Sequence, residues 1–177
     1  LATITGNVGV KGGWAGGYGG IASRKFMTGV EQGDNPVKAR ISIMNWMQAV
    51  DDASKVRPED GLKDADKLDT NIKMIFSLAG NYMANQNPDL NQAVKLLEDE
   101  SKVEFIVASD LYLTPSAKYA DLLLPETSFM ERWNIGETWG TGSYFMLSEK
   151  LIEPDFQRRS DYEWLREVAE KLGVEPE

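Results

Sequence analysis

The chain has 177 residues, long enough for one domain with a sizeable core, and its 42% hydrophobic and 10% aromatic content marks it as globular rather than disordered. Its 19 basic against 28 acidic residues leave a net charge of −9, which argues against nucleic acid as a partner but leaves phosphorylated ligands open, because loop amides and helix N-termini bind phosphate without basic side chains. The absence of Cys and His removes disulfides, thiolate or imidazole metal ligation and iron–sulfur ligation from this segment, and no apolar run approaches the roughly 20 residues of a membrane helix.

Leu1–Thr5 followed by Gly6-Asn7 reads as the last turn of a helix closed by a glycine cap, so targeting information is expected upstream of Leu1. Gly9 to Gly20 holds seven glycines in twelve residues and is expected to be irregular, as is 21–36. This run either wraps a cofactor closely or serves as a linker, and Trp14 and Tyr18 inside it speak against a pure linker. A short helix is expected over Ala39–Val50, with Ile43, Trp46, Met47 and Val50 on one face. The charged, turn-rich stretch Asp51–Asp69 reads as a surface loop.

Regular architecture begins at Ile72. The run Ile72–Leu78 predicts a mostly buried strand ended by Gly80-Asn81, and Asn87-Pro88 predicts a helix with Asn87 as N-cap and an apolar face of Leu90, Ala93, Val94 and Leu97. Val103–Ala108 is a second strand. A short helix over Ser116–Ala120 leads into a third strand, Asp121–Pro125, and Tyr144–Leu147 is a candidate fourth. The last helix is signalled by the capping box Ser160-Asp-Tyr-Glu163, an apolar face of Trp164, Leu165, Val168 and Leu172, and a terminating Gly173. The expected fold is α/β: a Rossmann-like, mostly parallel sheet with flanking helices, preceded by a Gly-rich irregular segment. Residues 1–70 are expected to be the tail of a preceding domain plus an irregular connection, and 71–177 a dinucleotide-cofactor-binding domain.

In open α/β sheets, ligands sit beyond the carboxyl ends of the strands. Gly80-Asn81 and Ser109-Asp110 fall at two such ends. Gly80 permits close backbone approach, Asn81 offers donors and acceptors, the helix opening at Asn87 could present free amides to a phosphate, and Asp110 suits a ribose hydroxyl or guanine amino edge. The competing reading makes Gly80-Asn81 a plain turn and Asp110 a cap. Neither a Walker loop nor a G-x-G-x-x-G fingerprint is present. Glu126 and Glu131 read as surface or hydrogen-bonding carboxylates rather than an acid/base pair, Asp161 is already favoured by the dipole of the helix it opens, and the Met and Trp residues read as core.

Thr5-Gly-Asn-Val-Gly-Val-Lys-Gly-Gly13, Ile72-Lys-Met-Ile75 with Ala79-Gly-Asn81, Asn85-Gln86, and Ile106-Val107 with Asp110 and Thr114-Pro-Ser-Ala-Lys-Tyr-Ala-Asp-Leu-Leu-Leu-Pro125 resemble the dimethyl sulfoxide reductase family of molybdopterin-dependent oxidoreductases, across nearly the whole chain. The resemblance implies an internal fragment of a catalytic subunit that holds one molybdopterin guanine dinucleotide, with molybdenum in the full-length enzyme and an iron–sulfur cluster outside this segment. By position it implies cofactor contacts at Gly80, Asn81, Asn85, Ser109, Asp110, Glu126 and Asp161, and places Ala15–Gly19 near substrate. It assigns no catalytic residue and no metal ligand here. It further implies an S-oxide or N-oxide substrate, an iron–sulfur electron-transfer subunit, a membrane-anchor subunit, bacterial export and an isolated fragment without activity. The alternatives are a non-catalytic nucleotide-binding or assembly module with the same α/β fold, or an unrelated α/β nucleotide binder.

Overall fold

The computed structural model describes residues 1–13, 35–137 and 144–174, so Trp14, Tyr18 and the Ala15–Gly19 stretch lie outside the described residues. Backbone contacts group them into two units: 1–13 with 134–137 and 144–148, and 35–133 with 149–174.

In the first unit, Gly6 (φ 70°) closes a single helical turn. Its amide bonds to the Thr3 carbonyl at 3.2 Å and the Asn7 amide to Ala2 at 2.9 Å, the paired pattern that a left-handed glycine makes possible. The sequence placed the cap correctly. The other part of this unit is an antiparallel pair, β4 (Asn134–Glu137) and β5 (Phe145–Ser148), in which Asn134 faces Ser148 and Glu137 faces Phe145. β5 was expected; β4 was not, because Asn134-Ile-Gly-Glu137 carries no alternation to betray it.

The second unit is built on β1 (Met74–Leu78), β2 (Phe105–Asp110) and β3 (Leu122–Pro125), a parallel sheet in the order β1-β2-β3. Met74 is level with Phe105 and Leu78 with Ser109, while Val107 is level with Leu122 and Asp110 with Pro125, so the carboxyl ends of all three strands line one edge. The α/β reading is right. The start of β3 is locked by a reciprocal pair: the Asp121 amide donates to the Ile106 carbonyl at 2.9 Å, and the Asp121 carboxylate accepts from the Ile106 amide at 2.7 Å.

One face of the sheet is filled by α1 (Trp46–Asp51) and α2 (Leu90–Leu97), which bring Trp46, Val50, Ala93, Leu96 and Leu97 onto Ile75, Met83, Val103 and Ile106. α2 opens differently from expectation. Asp89, not Asn87, is its N-cap, accepting from the Gln92 amide at 3.0 Å, and the Asn87 side chain instead holds the Asp89 amide at 3.2 Å. A carboxylate therefore already occupies the positive end of this helix and disfavours a phosphate there. The 39–50 helix divides into a 3-10 turn at Ile43–Asn45 followed by α1. The Asp51–Asp69 stretch is more than surface: Val56 and Leu62 are buried with Ala49 in a second small cluster.

On the other face, α3 (Asp161–Lys171) begins at the predicted capping box and ends at Gly173 (φ 74°). Trp164 stacks on Phe76 with centroids 6.2 Å apart and 10° between planes. Leu165, Val168 and Leu172 are exposed, as are Met74, Leu78 and, despite its stack on Trp164, Phe76, so the expectation of a mostly buried first strand holds for Ile75 and Ser77 only.

Candidate functional site

Two clusters of predicted residues meet the carboxyl edge of the sheet. The first follows β1. Ala79 turns the chain out of the strand with φ 45°, a left-handed conformation unusual for a residue with a Cβ, and its amide donates to the Ser109 carbonyl at 2.8 Å. Gly80 comes next with an ordinary φ; a Cβ there would meet Tyr82 Cδ1 at 3.3 Å, so the glycine admits the Tyr82 ring. Burial pushes the Tyr82 phenol pKa up. Asn81 spends its side-chain carbonyl on Ser116, accepting from the Ser116 amide at 3.1 Å and hydroxyl at 2.9 Å. The same hydroxyl accepts from the Ala84 amide at 2.9 Å. Ser116 is fully buried and clamps the β1 loop to the β2–β3 connection. Asn85 is exposed, and its side chain makes no hydrogen bond among the described residues.

The second cluster lies at the ends of β2 and β3. Ser109, fully buried, donates to Asp161 Oδ1 at 2.6 Å, and the Trp164 indole N–H donates to the same oxygen at 3.1 Å. The sequence explained Asp161 by the helix dipole alone; the structure adds two fixed donors. Asp110 Oδ1 accepts from the Tyr112 amide at 3.1 Å, so the capping reading is right for one of its oxygens. The Glu126 amide bonds to the Asp110 carbonyl at 3.3 Å, which places the two side by side.

Glu126 and Glu131 are both buried and hydrogen-bonded, so of the two readings offered for these carboxylates the surface one fails and the hydrogen-bonding one holds. Glu126 is held by Arg132 Nη1 at 3.0 Å. Burial pushes its carboxyl above the usual range, Asp161 and Asp110 adding to the shift while Arg132 opposes it. Glu131 has the reverse electrostatics: the Ser128 amide at 2.8 Å and the Arg158 guanidinium at 2.6 Å hold its carboxyl below the usual range. Glu131 is thus a structural strut, and Glu126 alone faces the other carboxylates. Among the described residues no group of three or more Asp or Glu is arranged to hold a metal ion.

Ser109, Asp110, Glu126 and Asp161 are therefore brought together; Gly80 and Asn81 stand at the neighbouring strand end, and no hydrogen bond among the described residues joins the Asn85 side chain to either cluster. Sequence reasoning missed Ser116, Arg132 and the Trp164 indole. Ser116 sat inside a noted motif, but nothing distinguished it from a helix cap. Arg132, six residues from Glu126, has no periodic relation to it.

Three carboxylates at one strand edge accept hydrogen bonds and repel phosphate. They fit the hydroxyl- or amino-bearing part of a ligand, whereas any phosphate fits only the backbone amides of the β1 loop. These features define an α/β domain with a carboxylate-lined strand edge. The family profile described as molybdopterin oxidoreductase matches residues 1–171, and the chain belongs to that family. It is 38% identical over 178 residues to "Dimethyl sulfoxide reductase DmsA" of Escherichia coli (strain K12), covering 99% of this chain and 22% of that protein. It is 29% identical over 190 residues to the "Dimethyl sulfoxide/trimethylamine N-oxide reductase" of Rhodobacter capsulatus, with 98% and 22% covered. The solved structure "Acetylene Hydratase from Pelobacter acetylenicus" matches with a TM-score of 0.52 and 26% identity over 74% of this chain and 16% of that one. The chain spans about a fifth of the length of the curated relatives it matches. The family implies a molybdopterin cofactor, and the acceptor-rich edge is compatible with its donor-bearing parts.

Proposed function

We propose that this chain holds the guanosine end of a molybdopterin guanine dinucleotide inside a larger oxidoreductase that reduces an S-oxide or N-oxide. The carrying observation is the convergence of Ser109, Asp110, Glu126 and Asp161, from the ends of two strands and the start of α3, with carboxylate oxygens left over after their internal bonds. Guanine presents an N1–H and a 2-amino group, and ribose presents hydroxyls; all are donors that such oxygens complement. Gly80, Asn81 and Asn85 lie on the loop whose amides suit the pyrophosphate. The relatives named for dimethyl sulfoxide and trimethylamine N-oxide support the substrate class.

When bound, the molybdenum of such a cofactor supplies the oxygen-atom transfer. This chain's residues bind and orient, and alone it is inactive. On the same reading, rooted in the family resemblance, an iron–sulfur cluster outside this segment, an iron–sulfur subunit and a membrane anchor deliver electrons to an exported enzyme. The test is the cofactor content of the full-length protein carrying Asp161→Asn, measured as molybdenum and as GMP released by acid hydrolysis. Both should fall together several-fold relative to the unmodified protein. Undiminished GMP in the variant, or no GMP in the parent, overturns the reading.

A further inference from the structure

Asp161 is the first residue of α3, and the helix is capped without it. The Ser160 hydroxyl accepts from the Glu163 amide at 3.4 Å and the Glu163 carboxylate accepts from the Ser160 amide at 2.7 Å, so the capping box is complete. The Asp161 carboxylate is nevertheless tied down. Ser109 Oγ donates to its Oδ1 at 2.6 Å, and the Trp164 indole Nε1–H donates to the same atom at 3.1 Å. Two donors use both lone pairs of Oδ1, whereas Oδ2 makes no hydrogen bond among the described residues.

The two donors are not equivalent. A hydroxyl turns about its Cβ–Oγ bond and follows its acceptor, whereas an indole N–H points only where its ring points. The Trp164 ring is held in place: it is 5% exposed and lies on Phe76 of β1, with centroids 6.2 Å apart and 10° between planes. Residues three apart share a helix face, which brings this N–H to Asp161 one turn earlier. The direction of the Asp161 carboxylate is therefore set from β1, through the ring stack and the indole. Asp161 lies near enough to Glu126 for its charge to help raise the Glu126 carboxyl, so the oriented group belongs to the carboxylate-lined edge.

We propose that Trp164 is a positioning residue of this edge: its N–H locks the Asp161 carboxylate in the pose in which Oδ2 accepts from a donor of the guanosine, and so prolongs the hold on that end of the cofactor. This role rests on the guanosine reading above and adds to it a residue that acts through Asp161 without itself meeting the ligand. A carboxylate fixed beforehand loses no rotamer freedom on binding. One released from the indole must be ordered by the ligand, which weakens the hold roughly three- to tenfold.

The test uses the full-length holoenzyme and follows GMP, released by acid hydrolysis, in protein recovered at intervals after dilution. Benzothienylalanine in place of Trp164 exchanges the N–H for sulfur and keeps the shape of the ring; Trp164→Phe removes the N–H and keeps an aromatic ring on Phe76. Both variants should lose bound GMP roughly three- to tenfold faster than the parent, with no further acceleration when combined with Asp161→Asn. A Trp164 that serves packing alone leaves the benzothienyl variant like the parent, or gives an effect that adds in full to that of Asp161→Asn. Either result overturns the positioning role while the guanosine reading stands. Retention of GMP by Asp161→Asn at the parent's level and rate overturns both.

Discussion

Ser116→Ala tests how the loop after β1 is held. The hydroxyl accepts from the buried Ala84 amide at 2.9 Å and donates to Asn81 Oδ1 at 2.9 Å. Its removal leaves the Ala84 amide without an acceptor, at about 1–3 kcal/mol, and deletes one net hydrogen bond of about 0.5–1.5 kcal/mol. The Ser116 amide still donates to Asn81 at 3.1 Å, which keeps the loss toward the lower half of that sum, about 2–3 kcal/mol. In a chain of this size that lowers the midpoint by roughly 5–10 °C. Urea and thermal unfolding measure the loss directly. A double-mutant cycle with Asn81→Ala isolates the pair, with an expected coupling of about 0.5–1.5 kcal/mol. A loss under about 0.5 kcal/mol, or full additivity with Asn81→Ala, refutes the clamp.

Two further substitutions address the carboxyl edge of the sheet. Because the Glu126 carboxyl is raised above its ordinary value, the folded chain binds that proton more tightly than the unfolded chain; stability therefore falls as pH rises through the window between the unfolded and folded values, and the loss is complete above it. Glu126→Gln should flatten this slope in a thermal-unfolding series against pH, and an unchanged slope counts against Glu126 as its source. Ala79→Gly should stabilise the chain by about 0.5–1 kcal/mol, because the strain of a Cβ at φ 45° exceeds the entropy that glycine adds to the unfolded state; lower stability in urea contradicts the strain.

The elements legible in the sequence are those whose signals are local. The capping box Ser160–Glu163, the glycine stops at Gly6 and Gly173 and the three parallel strands depend on neighbours along the chain, and each is found, although β1 and β2 begin two residues later than expected and β2 runs on through Ser109 and Asp110. The misread features depend on distant partners. Asn87 and Asp89 are equally good caps by composition, and only the position of the first helical turn selects Asp89. Asp51–Asp69 is polar enough to read as surface, yet Val56 and Leu62 find Ala49 across the chain. At the carboxylate-lined edge, strand-end position singled out Ser109 and Asp110, and Asp161 entered only through the family resemblance. Neither showed that Ser109 and Asp161 share a hydrogen bond 52 residues apart, or that Arg132 attenuates the burial of Glu126.

The edge position of β1 and the turn that leaves it bear on one another. The described strands run in one direction from β1, so no reversal of strand order, and hence no crevice of the kind doubly wound sheets use, exists among them. The loop leaving the carboxyl end of β1 borders the described sheet on that side. That loop is Ala79-Gly80-Asn81, the place where the backbone is strained and where Ser116 fixes a side chain. Strain of about 1–2 kcal/mol persists only where the surroundings over-determine the conformation. With β1 at the margin, the β2 contact and the Ser116 clamp act on this turn from one side only. The β2 contact and the Ser116 clamp together are what hold the Ala79 turn in its left-handed conformation.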